Sequence, residues 1–194
     1  MPHPFFRKQL KQPFTEKSSI LDLEIMNPKT TIVFGAADWT EAMEDVPLPE
    51  SEYWVMHFDG SRMLQGSGAG VVLRNPLGDK LSYVLQIHFK ATNNVAEYEA
   101  LLHGLHIARD LGVQRVLCYG DSDLVAQQVR GTWNTKTETM AAYRAAVDEF
   151  AKCFLGYEVR HIPRAQNEAA DTLARLGSER RKVQIGRASC RERV

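Results

Sequence analysis

An α/β domain built on a mixed sheet is the fold class that this sequence predicts, and two observations predict it. Three strand-like runs joined by short turns come first, the pattern of an antiparallel meander. Helical and strand-like periods then alternate, which implies parallel strands with helices on the faces of the sheet. The chain has 194 residues, with 24 Lys and Arg against 24 Asp and Glu, and is 44% hydrophobic. That composition fits one domain with extensions and excludes a collagen-like, low-complexity or wholly disordered chain. No run nears the ~18–20 apolar residues of a membrane span, and the opening MPHPFFRK lacks the apolar centre of a secretory signal. Cys118, Cys153 and Cys190 show no C-x-x-C spacing, so neither a disulfide framework nor a zinc site is expected. A reduced intracellular setting, cytoplasmic or nuclear, follows as the default. Zero net charge means that any nucleic-acid function must rest on local groups.

Residues 1–50 mix prolines with polar and short apolar stretches and read as an irregular extension. A strand is possible at 30–34, a helical turn at 38–42, and the acidic, Pro-containing stretch 44–50 reads as a linker. Little stable structure is expected before about residue 50. The domain is expected over 51–180. Residues 53–58 are a compact aromatic and β-branched run, ended by Asp59-Gly60-Ser61. Residues 66–74 and 80–89 are the second and third strands, separated by the turn Asn75-Pro76-Leu77-Gly78. The period then changes to helical over 93–111, with Gly112 as the stop. A strand at 113–119, helices at 122–130 and 137–155, a strand at 157–162 and a helix at 167–176 closed by Gly177 complete the order βββαβααβα. Residues 181–194 are a tail. Its last ten, IGRASCRERV, read as the in-frame translation of a sequencing-library adapter, with an ordinary basic tail as the alternative.

Four carboxylates stand out, each with a plain alternative. Strand alternation puts Tyr53, Val55, His57 and Asp59 on one face; Asp59 also reads as a solvated turn aspartate. Glu97 shares a helix face with Leu101, Gly104 and Ala108. That face should bury against the sheet, where an unpaired carboxylate costs several kcal/mol; a cation is the obvious partner, and an edge position reaching water is the alternative. Asp121 follows the strand 113–119 at its carboxyl end, where α/β proteins place ligand-binding groups, and it or Ser122 could cap the next helix. Asp171 opens the last helix and projects away from a stripe marked by Leu173 and Leu176, where a dipole-friendly surface aspartate is the alternative. Together, acids without cysteine favour Mg²⁺ or Mn²⁺ over zinc. Such a cluster can hold two ions about 3.5–4 Å apart, the arrangement used for phosphodiester cleavage.

The segments Phe58-Asp59-Gly60-Ser61, Thr92-Asn93-Asn94-x-x-Glu97, Gly120-Asp121-Ser122 and His161-x-x-x-x-x-Asn167-Glu168-x-x-Asp171 resemble type 1 ribonuclease H in order, type and context. The wording is most similar to that domain in plant gypsy-class long-terminal-repeat retrotransposon polyproteins. The resemblance covers about residues 53–177, and four motifs in order with the matching element pattern are very specific. It implies a ribonuclease H-like fold with a five-stranded mixed sheet flanked by helices. The implied activity is two-metal hydrolysis of the RNA strand of RNA–DNA hybrids, leaving 3′-hydroxyl and 5′-phosphate ends. The metal ligands and catalytic acids would be Asp59, shared between two Mg²⁺ ions (Mn²⁺ possible), Glu97 and Asp121 on one ion, and Asp171 on the other.

His161 matches a histidine that assists proton transfer or product release in cellular members; ending the fifth strand is its alternative. Gly60, Ser61, Thr92, Asn93, Asn94 and Asn167 match substrate-touching segments. Short amides can read a 2′-hydroxyl, yet Thr92 to Asn94 and Asn167 could equally cap helices. Gly60, Gly66, Gly68 and Gly70 could permit close approach of the bound strand, or serve hairpin chemistry. Trp133 could stack on nucleic acid or simply pack. The connection 130–136 lacks the extra helix and basic loop of many cellular enzymes, so weak hybrid binding with a modest salt slope is expected. An upstream reverse transcriptase would supply the grip, tethered through residues 34–43, and the chain itself is expected to be a monomeric fragment with no membrane partner. A non-catalytic nucleic-acid-binding remnant of such a polyprotein is the competing reading. A 3′–5′ exonuclease on the same fold is a third, but those start with Asp-x-Glu, where this chain has Asp59-Gly60-Ser61.

Overall fold

In a computed structural model of the chain, residues 30–38 and 53–180 are described. They form six strands: β1 (Thr30–Asp38), β2 (Trp54–Met63), β3 (Gly66–Arg74), β4 (Lys80–Ile87), β5 (Arg115–Gly120) and β6 (Gly156–His161). The helices are α1 (Asn93–Asp110), α2 (Asp123–Arg130), α3 (Glu138–Ala151) and α4 (Glu168–Ser178), with a 3₁₀ turn at Arg164–Gln166. The sheet order is β1-β4-β3-β2-β5-β6. Strands β2, β3 and β4 are antiparallel neighbours, and β2–β5 and β5–β6 are parallel. Without β1, this is the expected five-stranded mixed sheet.

The sixth strand corrects the expectation of little structure before residue 50. β1 pairs antiparallel with β4 from Thr30↔Ile87 to Asp38↔Lys80. Its sequence, TTIVFGAAD, is rich in β-branched and apolar residues, and β4 would otherwise expose an unpaired edge. The strand expected at 30–34 is therefore longer and includes Asp38. Residues 39–42 of the expected helical turn, the linker 44–50 and the tail 181–194 lie outside the described residues.

Local chemistry sets the helix ends. Thr92, Ser122 and Thr137 cap α1, α2 and α3, each side chain accepting from the backbone N–H three residues on. Gly131 closes α2 in the left-handed conformation. Gly177 does not close the last helix, which runs on to Ser178. A Cβ at Gly177 would collide with the Leu85 carbonyl, so this glycine serves helix–sheet contact.

Each face of the sheet is packed differently. On one, Met56, Phe58, Val71 and Leu73 meet the α1 residues Leu101 and Leu105, all buried. On the other, α4 lays Ala170, Ala174 and Gly177 against Gly68 and Gly70, where a Cβ would strike the helix backbone. The packed stripe of α4 is therefore of small residues, and the expected Leu173 and Leu176 are only half-buried. Gly68 and Gly70 are occupied by this packing, so the close approach read in them is intramolecular.

Candidate metal centre

The parallel ladder between β2 and β5 runs from Trp54↔Val116 to His57↔Tyr119 and then stops. β2 has an antiparallel neighbour on one side and a parallel neighbour on the other, and the carboxyl ends of strands at such a change are where α/β sheets place ligand-binding groups. Asp59 lies on β2 just beyond the last rung. Asp121 follows Gly120, the last residue of β5. Ser122, not Asp121, caps α2 through Val125 N–H, so the Asp121 carboxylate is not spent on the cap.

Glu97 reaches the same place from α1. A Cβ at Gly60 would collide with the backbone of Ala96 and Glu97. The absence of that atom lets the first turns of α1 press against β2, and the Gly60 N–H donates to Glu97. Leu101, Gly104 and Ala108, the expected companions of Glu97, are buried with it. The three acids each offer an oxygen, and these atoms lie within 4.8 Å of one another.

The electrostatics of this trio are unfavourable without a counter-charge. Asp59 is 4% exposed and Glu97 7%. Burial, then the nearby Asp121 and Asp171 charges, push the Asp59 carboxyl up to about 7, although its hydrogen bond with Glu97 opposes the rise. Burial and the charges of Asp59 and Asp121 push Glu97 well above the ordinary carboxylate range. Glu97 Oε2 is buried with no hydrogen-bond partner, an arrangement that costs free energy unless a cation or water meets it. Three clustered oxygen donors without sulfur fit a hard divalent ion such as Mg²⁺ or Mn²⁺.

Asp171 stands beside this trio, not in it. Its carboxylate accepts from Arg164 Nη2 at 3.1 Å and is paired with Arg175 Nη2 at 2.8 Å, while its charge still acts on Asp59. Arg175 was legible as an i,i+4 partner. Arg164 was not, because it comes from the 3₁₀ turn before the helix. His161 ends β6 and is exposed, opposite Gly120 in the β5–β6 ladder, so it flanks Asp121.

The expected substrate residues divide. Asn93 is exposed and Asn94 half-buried at the start of α1, and Thr92 spends its hydroxyl as the cap. Trp133 is 48% exposed on the α2–α3 connection. Gly60 is covered by α1, and Ser61 Oγ accepts from Ser178 Oγ at 3.2 Å. Asn167 is 1% exposed. Its side chain makes no cap, and its Nδ2 instead donates to the Phe58 carbonyl at 3.0 Å.

Comparison with known proteins agrees with this fold. Ribonuclease HI of Halobacterium salinarum is 41% identical over 85 residues, 44% of this chain and 43% of that protein. A bifunctional protein of Mycobacterium tuberculosis is 38% identical over the same length, 23% of its own. The aligned stretch thus spans less than half of either relative. The crystal structure of the Halobacterium salinarum RNase H1 superposes with a TM-score of 0.62 at 32% identity, covering 66% of this chain and 98% of that one. LC11-RNase H1 in complex with an RNA/DNA hybrid gives 0.59 at 27% identity, over 65% and 96%. Foamy viral protease-reverse transcriptase shares the fold, at a TM-score of 0.54, 23% identity, 73% of this chain and 22% of that one. Among the described residues no helix is long and apolar enough to cross a membrane. Residues 57–177 match the family described as reverse transcriptase-like, and the chain belongs to that family.

Proposed function

We propose that this chain is a ribonuclease H, hydrolysing the RNA strand of RNA–DNA hybrids with divalent metal ions. The observation that carries the reading is the convergence of Asp59, Glu97 and Asp121 from a strand, a helix and a strand end, with one Glu97 oxygen left unpartnered. Relatives named as ribonucleases H, one of them solved with an RNA/DNA hybrid, support it. Bound Mg²⁺ or Mn²⁺ would supply an attacking water of lowered pKa and neutralise charge on the leaving oxygen. The chain supplies the rest. Asp59, Glu97 and Asp121 would hold one ion, and Asp171, now paired with Arg164 and Arg175, would share a second with Asp59. Asn93 and Asn94, at the accessible start of α1, touch the RNA strand. His161, at the end of β6, assists proton transfer or product release.

The finer reading is that the domain comes from a retroelement polyprotein, with a reverse transcriptase upstream. What supports it is the wording of the four motifs. An intracellular monomer that gains its hybrid grip from that partner belongs to the same reading.

The test is cleavage of a labelled RNA–DNA hybrid with Mg²⁺ or Mn²⁺, against double-stranded RNA, double-stranded DNA and the Asp121→Asn variant. Cutting confined to the hybrid's RNA strand and lost in the variant is expected. No cutting by the folded chain, with or without an added reverse transcriptase, overturns the reading in favour of an inactive remnant.

A further inference from the structure

We infer that Asn167 is a positioning residue that sets the separation between Asp59 and Asp171, and not a contact for nucleic acid. The inference rests on the proposed metal site and goes beyond it in assigning what holds that site together. Phe58 is the first β2 residue past the parallel ladder, which ends at His57↔Tyr119. Its carbonyl therefore lies where β5 no longer supplies a donor. Asn167 Nδ2 takes that carbonyl at 3.0 Å, one peptide bond before Asp59. The backbone of the same residue accepts from Asp171 N–H at 3.0 Å, in the first turn of α4. One residue thus clamps both strand and helix, through its side chain at the Phe58 carbonyl and its main chain at the Asp171 N–H.

The burial decides between the two roles. At 1% exposure Asn167 offers little to a bound strand, whereas its buried amide already holds a strand carbonyl. Its Oδ1 is buried and has no hydrogen-bond partner, so the amide is held in place by the Phe58 carbonyl and packing, and its purpose is not α4 capping. Outer groups that orient ligating carboxylates typically change metal affinity by about 10–100-fold when removed.

The experiment is calorimetric titration of the full chain and of Asn167→Ala with Mn²⁺, beside steady-state cleavage of the hybrid. Weakening of Mn²⁺ binding by about tenfold or more, with kcat reduced and KM for hybrid unchanged, is expected. So is faster amide exchange at Asp59 and Gly60 in the metal-free variant. Asn167→Gln, which keeps the donor on a longer arm, should recover part of the affinity. Should the alanine variant melt below the assay temperature, Asn167→Ser, with a small donor, is measured in its place and is expected to lose less. Unchanged Mn²⁺ affinity with a raised KM overturns the assignment and returns Asn167 to substrate binding. Failure of the unaltered chain to bind Mn²⁺ overturns the metal site itself, and the assignment with it.

Discussion

Glu97 and Glu99 lie two positions apart on α1, both buried, and they teach what a buried carboxylate is for. Glu99 is 1% exposed and fully served. Tyr143 donates to one oxygen at 2.6 Å and Thr30 to the other at 2.7 Å, and His103 Nε2 lies 3.2 Å from it. Burial would raise its carboxyl, but the His103 ring beside it and hydrogen bonds from Tyr143 and Thr30 outweigh it and hold Glu99 below the ordinary range. Glu97 meets the opposite surroundings: two other acids, one N–H from Gly60 and an oxygen without a partner. One carboxylate is a solved structural problem. The other is a charge held in reserve for something the chain does not supply. The 3.6-residue period turns them to different sides of one helix, which is why neighbours in sequence have unlike fates.

The largest way to separate them is activity. Asp121→Asn or Glu97→Gln should lower metal-dependent cleavage of the hybrid by about 10³-fold or more, since several kcal/mol of transition-state charge stabilisation are lost at ~1.4 kcal/mol per tenfold. Glu99→Gln, assayed well below its melting temperature, should stay within about threefold of the unaltered rate, since its network touches no site acid. Equal losses in both would erase the distinction.

Stability should move the other way. In EDTA, Glu99→Ala strands two hydroxyls and His103 and should cost about 3–5 kcal/mol in urea unfolding. Glu97→Gln removes a repelled charge and should add about 1–2 kcal/mol, the exchange of function for stability expected at a strained site. A destabilised Glu97→Gln would mean that the trio is already satisfied without metal.

Much of this contrast was legible in the sequence, and the missing parts have physical causes. Asp59, Glu97 and Asp121 could be read because strand ends and helix periodicity are local properties. The element order came through for the same reason, down to the Thr92 and Ser122 caps. The Asn167 contact was not legible because its partner, the Phe58 carbonyl, is 109 positions away, and no local pattern announces a side chain that bonds a distant backbone. Gly68 and Gly70 look like flexible hairpin glycines until α4 lies on them. β1 was undervalued because an edge strand has one neighbour, and that neighbour, β4, lies more than 40 residues on.

pH should separate the two glutamates' surroundings in solution. Asp59 has an ordinary value of 3.8 and is raised to about 7 in the fold, and Glu97 is raised as well. A raised carboxyl favours folding while protonated. That contribution is complete below about pH 4 and is lost as pH rises through about 7. Without metal, stability should therefore fall by about 2–4 kcal/mol from pH 4.5 to 8, and saturating Mg²⁺ should flatten the slope. Glu99 is lowered, so its contribution is present above its ordinary 4.5 and is lost as pH falls below it. Urea melts across the range, with EDTA or Mg²⁺, read both slopes. A metal-free chain that gains stability from pH 5 to 7 would contradict the raised trio.

The smallest effect tests how β1 joins the domain. Thr30 carries the β1 hydroxyl that reaches Glu99 across 69 positions, and it lies outside the stretch that matches the family, 57–177. Thr30→Val keeps the shape and the strand propensity and removes one hydrogen bond to a charged group. It should cost about 1.5–3 kcal/mol, less than Glu99→Ala because Tyr143 and His103 remain. In Glu99→Ala the same Thr30→Val change should cost only a few tenths of a kcal/mol, since its partner is gone. A double-mutant cycle in urea measures that difference. Additive costs would mean that β1 is held by its ladder with β4 alone; strong coupling would mean that the strand and the buried carboxylate depend on each other, and that the domain extends to residue 30.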